Sequence, residues 1–574
     1  MIAAIVARQV SEYTGDMPRR FLALLLTLLA ALLGVAPCPA QRGGQISGSY
    51  DRARERYDTT IRRLPFRFHT EGRTVLARSH DARAMLQLIS DYRKPPAYPE
   101  HTHYTVGSLL GQFFDNAMSV DPLIDLRKRF HKREHAWLVA RTLPGQIRRD
   151  GPAQALRVAR TDKEPFLRAA AIEAFRLAGE PGGLVMIDEV CDSLPKKPGA
   201  RRALIVAMSS YLLANEDRLD EETTKSAIHA FIELLGPEHK LSVSEKRLML
   251  RHLRKIFDDN SHNANPAYWL DVLDRGKTKK RTSSDTTTAA LRFFGMEADG
   301  NRIIYVIDMS DSMCKKIDES IKPKAAFTGL RKKRKKNVLP DESDLPWFKI
   351  VTRFDLAREH LKISLQRLSK DRRFSIVWFG TKAGTLKSCP RMIRGTSGNI
   401  KKVIKELDSI RVGSPRPPDH PDGVLRGSTN LHGGLRLAFS LTQRKPIAEH
   451  AYTDSRANAQ GCDMIFLLSD GAPSIDDFVV KDRDFGEGKV VVHNEYARAT
   501  KRTPFLWYHG PYVVPVPVYR GERSAHGWIV EDVRRMNVFR GAQIHCVGIG
   551  EANMRLLEQI AAGAMGSTHR FGAK

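Results

Sequence analysis

The sequence predicts a multidomain protein, with an α-helical front half followed by an α/β doubly wound (Rossmann-like) domain over residues 295–574. Three observations carry this. Apolar residues between 105 and 275 recur at helical spacing; past a polar break at 276–290, short β-branched runs alternate with helical stretches; and 574 residues are too many for one domain. Hydrophobic residues make up 42% of the chain, enough to build a packed core and exclude global disorder.

At the start of the chain, residues 21–36 are apolar apart from Thr27 and Gly34, with Arg19 and Arg20 before them and Pro37, Cys38, Pro39 and Ala40 after. A charged lead, a short apolar run and a small-residue exit read as an export signal over residues 1–40, with Met17 as an alternative start. The run is shorter than the roughly 20 residues that a spanning helix needs. The expected location is therefore periplasmic, cell-envelope or secreted. Residues 41–104 are read as an N-terminal extension. Cys191, Cys314, Cys389, Cys462 and Cys546 follow the signal, odd in number and without a C-x-x-C pair, so neither a disulfide framework nor a zinc knuckle is expected. Cys462 and Cys546 are expected to pack as small buried hydrophobes.

In the helical region of residues 105–275, Leu167, Ala170, Ala171, Ala174, Phe175 and Ala178 define one apolar face, with Pro165 and Gly179 as its punctuation. Similar segments near 182–194, 200–214, 221–235 and 244–257 suggest a short stack of HEAT-like helix pairs. Residues 276–294 are read as a linker. The runs at 303–307, 374–379, 464–468 and 544–549 are then strands of a parallel sheet. Between the second half's first two strands, Phe354, Ala357, Leu361, Leu365 and Leu368 mark a helix. Two insertions interrupt this half, 318–347 and 478–527. The first carries the basic run at 331–336, read as a solvated loop or a contact to an anionic envelope surface rather than as a nucleic-acid site. The overall balance of +28 favours acidic partners without naming one.

Oxygen donors stand at the strand ends. The first strand runs into Asp308-Met309-Ser310-Asp311-Ser312, a later loop carries Ser428-Thr429-Asn430, and a further strand ends in Ser469-Asp470-Gly471. If the strands are neighbours, Asp308 and Asp470 converge, and carboxylates with hydroxyls make a hard site suited to Mg²⁺ or Mn²⁺. In this order and context the chain resembles the von Willebrand factor A-type (VWA) domain family, whose metal-ion-dependent adhesion site combines a D-x-S-x-S motif, a Thr and an Asp. Its front half resembles that of exported bacterial VWA proteins. The resemblance implies that Asp308, Ser310, Ser312, Thr429 and Asp470 hold the metal, and that the domain binds a protein partner through an acidic group of that partner. Asp311 departs from the family, standing where many members have Gly, and the insertion at 318–347 directly follows the motif.

Two other readings are open. His131-Lys132-Arg133-Glu134-His135 fits H-x-x-E-H, a zinc-peptidase pattern, although the surrounding Arg and Lys residues oppose a dication. The chain is also compatible with a structural envelope protein whose metal site is vestigial. With no P-loop, G-x-S-x-G or strand-linked GxGxxG, a binding module rather than an enzyme is expected.

Overall fold

The computed structural model describes residues 50–61, 67–79, 81–93, 106, 109, 135–275, 291–322, 339–410, 425, 429–444, 446–447, 452–473, 489–497, 512–520 and 527–572. The export signal, most of the linker, the basic run at 331–336, His131 and Glu134 lie outside these residues. Ala53–Lys574 form one compact unit, and the account below concerns that unit; Tyr50–Arg52 belong to another. Among the described residues no helix is long and apolar enough to cross a membrane.

The extension at 41–104 contains α1 (Tyr50–Thr60), α2 (Arg67–Arg78) and α3 (Ala82–Arg93). Helix α1 is so polar that it buries only Ala53, Tyr57 and Thr60. A buried polar knot joins the three helices: the Tyr57 hydroxyl donates to Asp91 Oδ1 at 2.6 Å, and Arg73 Nε donates to Asp91 Oδ2 at 3.0 Å. Charge-assisted bonds of this kind leave no hydrophobic period in the sequence.

Residues 135–275 contain eight α-helices: α4 (Ala136–Asp150), α5 (Ala153–Thr161), α6 (Pro165–Ala178), α7 (Ile187–Asp192), α8 (Pro198–Leu213), α9 (Glu222–Glu233), α10 (Val243–Phe257) and α11 (Pro266–Arg275). Helices α4, α6, α8 and α10 pack each on the next, and α5, α7, α9 and α11 form a second row against them. Local signals set the ends. Pro165 opens α6, Gly179 closes it in the left-handed conformation at φ 68°, and Ser242 with Glu245 forms a capping box for α10. Because α6 touches α4, α5 and α8, ten of its residues are buried, and an apolar face alone would not account for that.

Next come the hairpin β1 (Leu291–Phe293) and β2 (Met296–Ala298), then β3 (Arg302–Asp308), α12 (Arg353–Gln366), β4 (Arg373–Phe379), β5 (Ala383–Thr385), β6 (Ile393–Arg394), α13 (Ser397–Ser409), α14 (Leu431–Ser440), α15 (Ser455–Gln460) and β7 (Met464–Ser469). The antiparallel pair β8 (Lys489–Ala497) and β9 (Tyr512–Arg520) falls inside the insertion at 478–527, and α16 (Gly527–Asn537), β10 (Gln543–Ile549), α17 (Met554–Ala562) and β11 (Thr568–Phe571) complete the chain. The main sheet has the order β11-β10-β7-β3-β4-β5, with β6 also on β4. Strands β3, β4, β7, β10 and β11 are parallel, and β5 and β6 run antiparallel to β4. The chain builds outward from β3 to β4 and then returns to place β7 on the other side of β3. Strand order therefore reverses at β3 and β7, where doubly wound sheets form their crevice.

Alternate residues of each strand feed two cores. Ile303, Tyr305 and Ile307 pack with Phe354, Ala357 and Leu361 of α12 on one face, while Ile304 and Val306 pack with Leu431 and Leu435 of α14 on the other. Burial on both faces explains why the strands read as continuous apolar runs. Cys462 and Cys546 are buried in the second core, as their sequence context implied.

The inner row of helices grips the amino-terminal ends of the strands. Ser244 of α10 donates to Asp463 Oδ2 at 2.8 Å and accepts from Arg302 Nη2 at 2.9 Å and from Arg202 Nη1 at 2.9 Å. Asp463 also accepts the Arg302 backbone N–H at 2.8 Å. Phe166 of α6 meets Phe539 edge-on at 5.6 Å, and Tyr452 accepts the Trp137 N–H of α4 at 2.9 Å. Burial, with Arg302 beside it, pushes the Arg202 guanidinium down to about 9, so the seam is electrostatically costly and leans on Asp463. Asp463→Ala is expected to lower the unfolding free energy of the chain by about 3–5 kcal/mol in denaturant titration, the cost of stranding buried charge. A loss under about 1 kcal/mol would show that the seam does not depend on this carboxylate.

Candidate functional site

The opposite edge of the sheet, at the carboxyl ends of the strands, carries the residues singled out by the sequence. Register pairs Ile307 with Leu468, so the residues after them, Asp308 and Ser469, end neighbouring strands. Asp308 is wholly buried, and its Oδ1 accepts the Ser310 N–H at 2.9 Å while its Oδ2 accepts the Ser469 hydroxyl at 2.8 Å. Ser310 and Ser312 share a hydrogen bond between their hydroxyls at 3.0 Å, and the Ser312 hydroxyl donates to Asp470 Oδ1 at 2.6 Å. One chain of hydroxyls thus links the two strand ends.

Thr429 directly precedes the cap residue of α14, whose start is anchored at the end of β4. Asn430 caps α14 by accepting the Gly433 N–H at 2.8 Å, and its own N–H donates to the Gly380 carbonyl at 2.9 Å, just past β4. Since the Met309 N–H donates to the Phe379 carbonyl at 2.7 Å, the Thr429 loop and the Asp308 loop are tied to the same strand end. Thr429 is itself buried. Helix α14 is held in place by a buried polar group, His432 Nε2 to Asp532 Oδ2 at 2.8 Å, with Arg535 Nε donating to Asp532 Oδ1 at 2.8 Å. Burial alone would raise the Asp532 carboxyl, yet Arg535 and His432 hold it well below the usual carboxylate range.

The donor set matches a hard divalent cation. Its two carboxylates and the Ser310 and Ser312 hydroxyls are held by the hydrogen bonds above, and no imidazole or thiolate is among them. Burial, and then the negative charge of Asp470, push the Asp308 carboxyl up to about 7 against the hydrogen bonds it accepts. Asp308 is held by neutral donors alone, and a dication would supply the positive charge that it lacks. Asp311 is exposed on the turn at Asp311–Cys314.

Three charged residues of this edge were not foreseen. Arg353 Nη1 donates to Asp470 Oδ2 at 2.8 Å, Arg353 Nη2 lies 3.5 Å from Glu551 Oε2, and Lys315 Nζ donates to Glu551 Oε2 at 2.7 Å. The signal for Arg353 was present in the T-x-x-D capping pattern of Thr352 and Asp355, which starts α12 at the edge from which helices of a doubly wound sheet depart. Of the H-x-x-E-H segment, only His135 falls among the described residues, with its ring 6.3 Å from that of Tyr92. The chain matches no family model and no curated protein sequence.

Because the folded-state Asp308 carboxyl titrates above its unfolded value, its ionisation costs stability that begins above the unfolded value and is complete above about 7. In chelator, Asp308→Asn is therefore expected to be more stable than wild type by about 1–3 kcal/mol near about pH 8, with the difference closing as the pH falls toward about 4. Denaturation at several pH values reads this directly. A difference that grows on acidification would contradict the assignment of cost to this carboxylate.

Proposed function

We propose that the chain is a metal-dependent protein-binding module of VWA type that works outside the cytoplasm. Asp308, Ser310, Ser312, Thr429 and Asp470 would hold Mg²⁺ or Mn²⁺, and an acidic group of a partner protein would complete the shell. The observation that carries this reading is the pair of buried carboxylates joined through serine hydroxyls at the reversal of strand order. When bound, the ion supplies an electrophile for the partner's carboxylate.

The protein's own residues do the rest. Hydroxyl donors are neutral, so they coordinate without cancelling the charge that attracts an anion. Hydrogen bonds from Ser310 and Ser469 hold the Asp308 carboxyl in place. The helical stack grips the far edge of the sheet and leaves this one to a partner. Its two rows of paired helices support the HEAT-like reading. Phe348 and Val351, exposed on the segment leading into α12, offer apolar contact near the charged capture point. The excess of positive charge would draw in an acidic partner, an effect that weakens with salt.

The test is a melt of the full chain with and without millimolar Mg²⁺ or Mn²⁺. Metal at about 100 times its dissociation constant is expected to add about 2.7 kcal/mol to the folded state. Ser312→Ala and Thr429→Ala should lose that gain, each judged against its own melt in chelator. No gain in wild type, or an equal gain in both variants, would refute the site. A response to zinc alone, removed by His131→Ala, would move the assignment to the peptidase reading.

A further inference from the structure

Asp470 is not waiting alone for a cation, because the chain already supplies one. Arg353 is nearly buried, and its guanidinium donates to Asp470 Oδ2 at 2.8 Å while Asp470 Oδ1 accepts from Ser312. Asp308, by contrast, is held by a backbone N–H and a hydroxyl, both neutral. Two loops meet the guanidinium, and a third is tied to the Arg353 backbone. The Arg353 N–H donates to the Lys315 carbonyl at 3.0 Å, just past the serine motif; Asp470 follows β7; and Gly550 follows β10. Gly550 lies at φ 59°, and a Cβ there would come within 2.7 Å of Arg353 Nη2, so the β10 loop can lie flat on the guanidinium only because it has no side chain. Exposed Glu551 adds a carboxylate 3.5 Å from the other end of the guanidinium.

We propose that Arg353 is a built-in counter-cation that competes with the divalent ion for the charge of Asp470 and so sets the metal affinity of the site. The inference rests on the metal-binding reading above and concerns how that site is tuned. A fixed positive charge hydrogen-bonded to a ligand carboxylate lowers the electron density that carboxylate can give to metal, and it also repels the dication. Metal entry must overcome both effects. Glu551 partly neutralises the guanidinium from its far side, which reduces the competition, and Lys315 in turn competes for Glu551. A partner that engages Lys315 or Glu551 would therefore change metal affinity without touching the ion. Arg353 pairs Asp470 within the chain, and a bound ion would relieve it of that role.

Calorimetric titration of the full chain with Mn²⁺ tests this in wild type, Arg353→Gln, Arg353→Lys and Glu551→Gln. Arg353→Gln is expected to bind Mn²⁺ at least about tenfold more tightly than wild type, equivalent to about 1.4 kcal/mol. Arg353→Lys keeps the charge and is expected to stay within about threefold of wild type, which a purely steric role would not predict. Glu551→Gln, an exposed change that leaves the core alone, is expected to weaken binding, and it carries the test if Arg353→Gln does not fold. Wild-type binding that Arg353→Gln leaves unchanged or weakens, or that Glu551→Gln leaves unchanged or tightens, overturns the inference while the metal reading stands. No Mn²⁺ binding in wild type or in any variant overturns the metal reading itself.

Discussion

Two buried carboxylates at the ends of adjacent parallel strands are the constraint around which this edge of the sheet is organised. Asp308 and Asp470 cannot both sit in a low-dielectric interior without compensation. The chain meets the cost with hydroxyl and N–H donors on Asp308 and with a guanidinium on Asp470. Those bonds fix the loops after β3 and β7, and through Arg353 they reach the start of α12 and the loop after β10. An apolar arrangement here would be easier to fold. Retaining charge at the crevice of a doubly wound sheet is the kind of local cost that functional sites carry.

The two edges of the sheet divide the work. At the amino-terminal ends of the strands, Ser244, Arg202, Arg302 and Asp463 form a closed seam that joins helix stack to sheet, with Phe166 and Phe539 packed beside it. At the carboxyl ends, exposed Glu551, Lys315 and Phe348 leave charged and apolar groups open to solvent. The helix stack is thus an integral buttress of the sheet, gripping it at the amino-terminal ends of the strands.

The same contrast explains what could be read ahead of the structure. Helices from Pro165 onward and the strands of the sheet were legible because their signals are short-range: apolar period, Pro at the start, Gly at the end, β-branched runs. The extension at 41–104 was not, since α1 holds to its neighbours through Tyr57, Arg73 and Asp91 and shows no apolar stripe. The candidate site was legible as a set of donor types in order, although only adjacency of β3 and β7 makes Asp308 and Asp470 meet.

The sequence by itself determined the local elements and the chemistry available at the strand ends, because side-chain period, caps and donor types are properties of neighbouring residues. Only the tertiary structure decided which charges face one another. Arg353 lies 117 positions from Asp470, and Ser244 lies 219 from Asp463. Contacts across such separations depend on strand order and helix placement, and no local pattern encodes them.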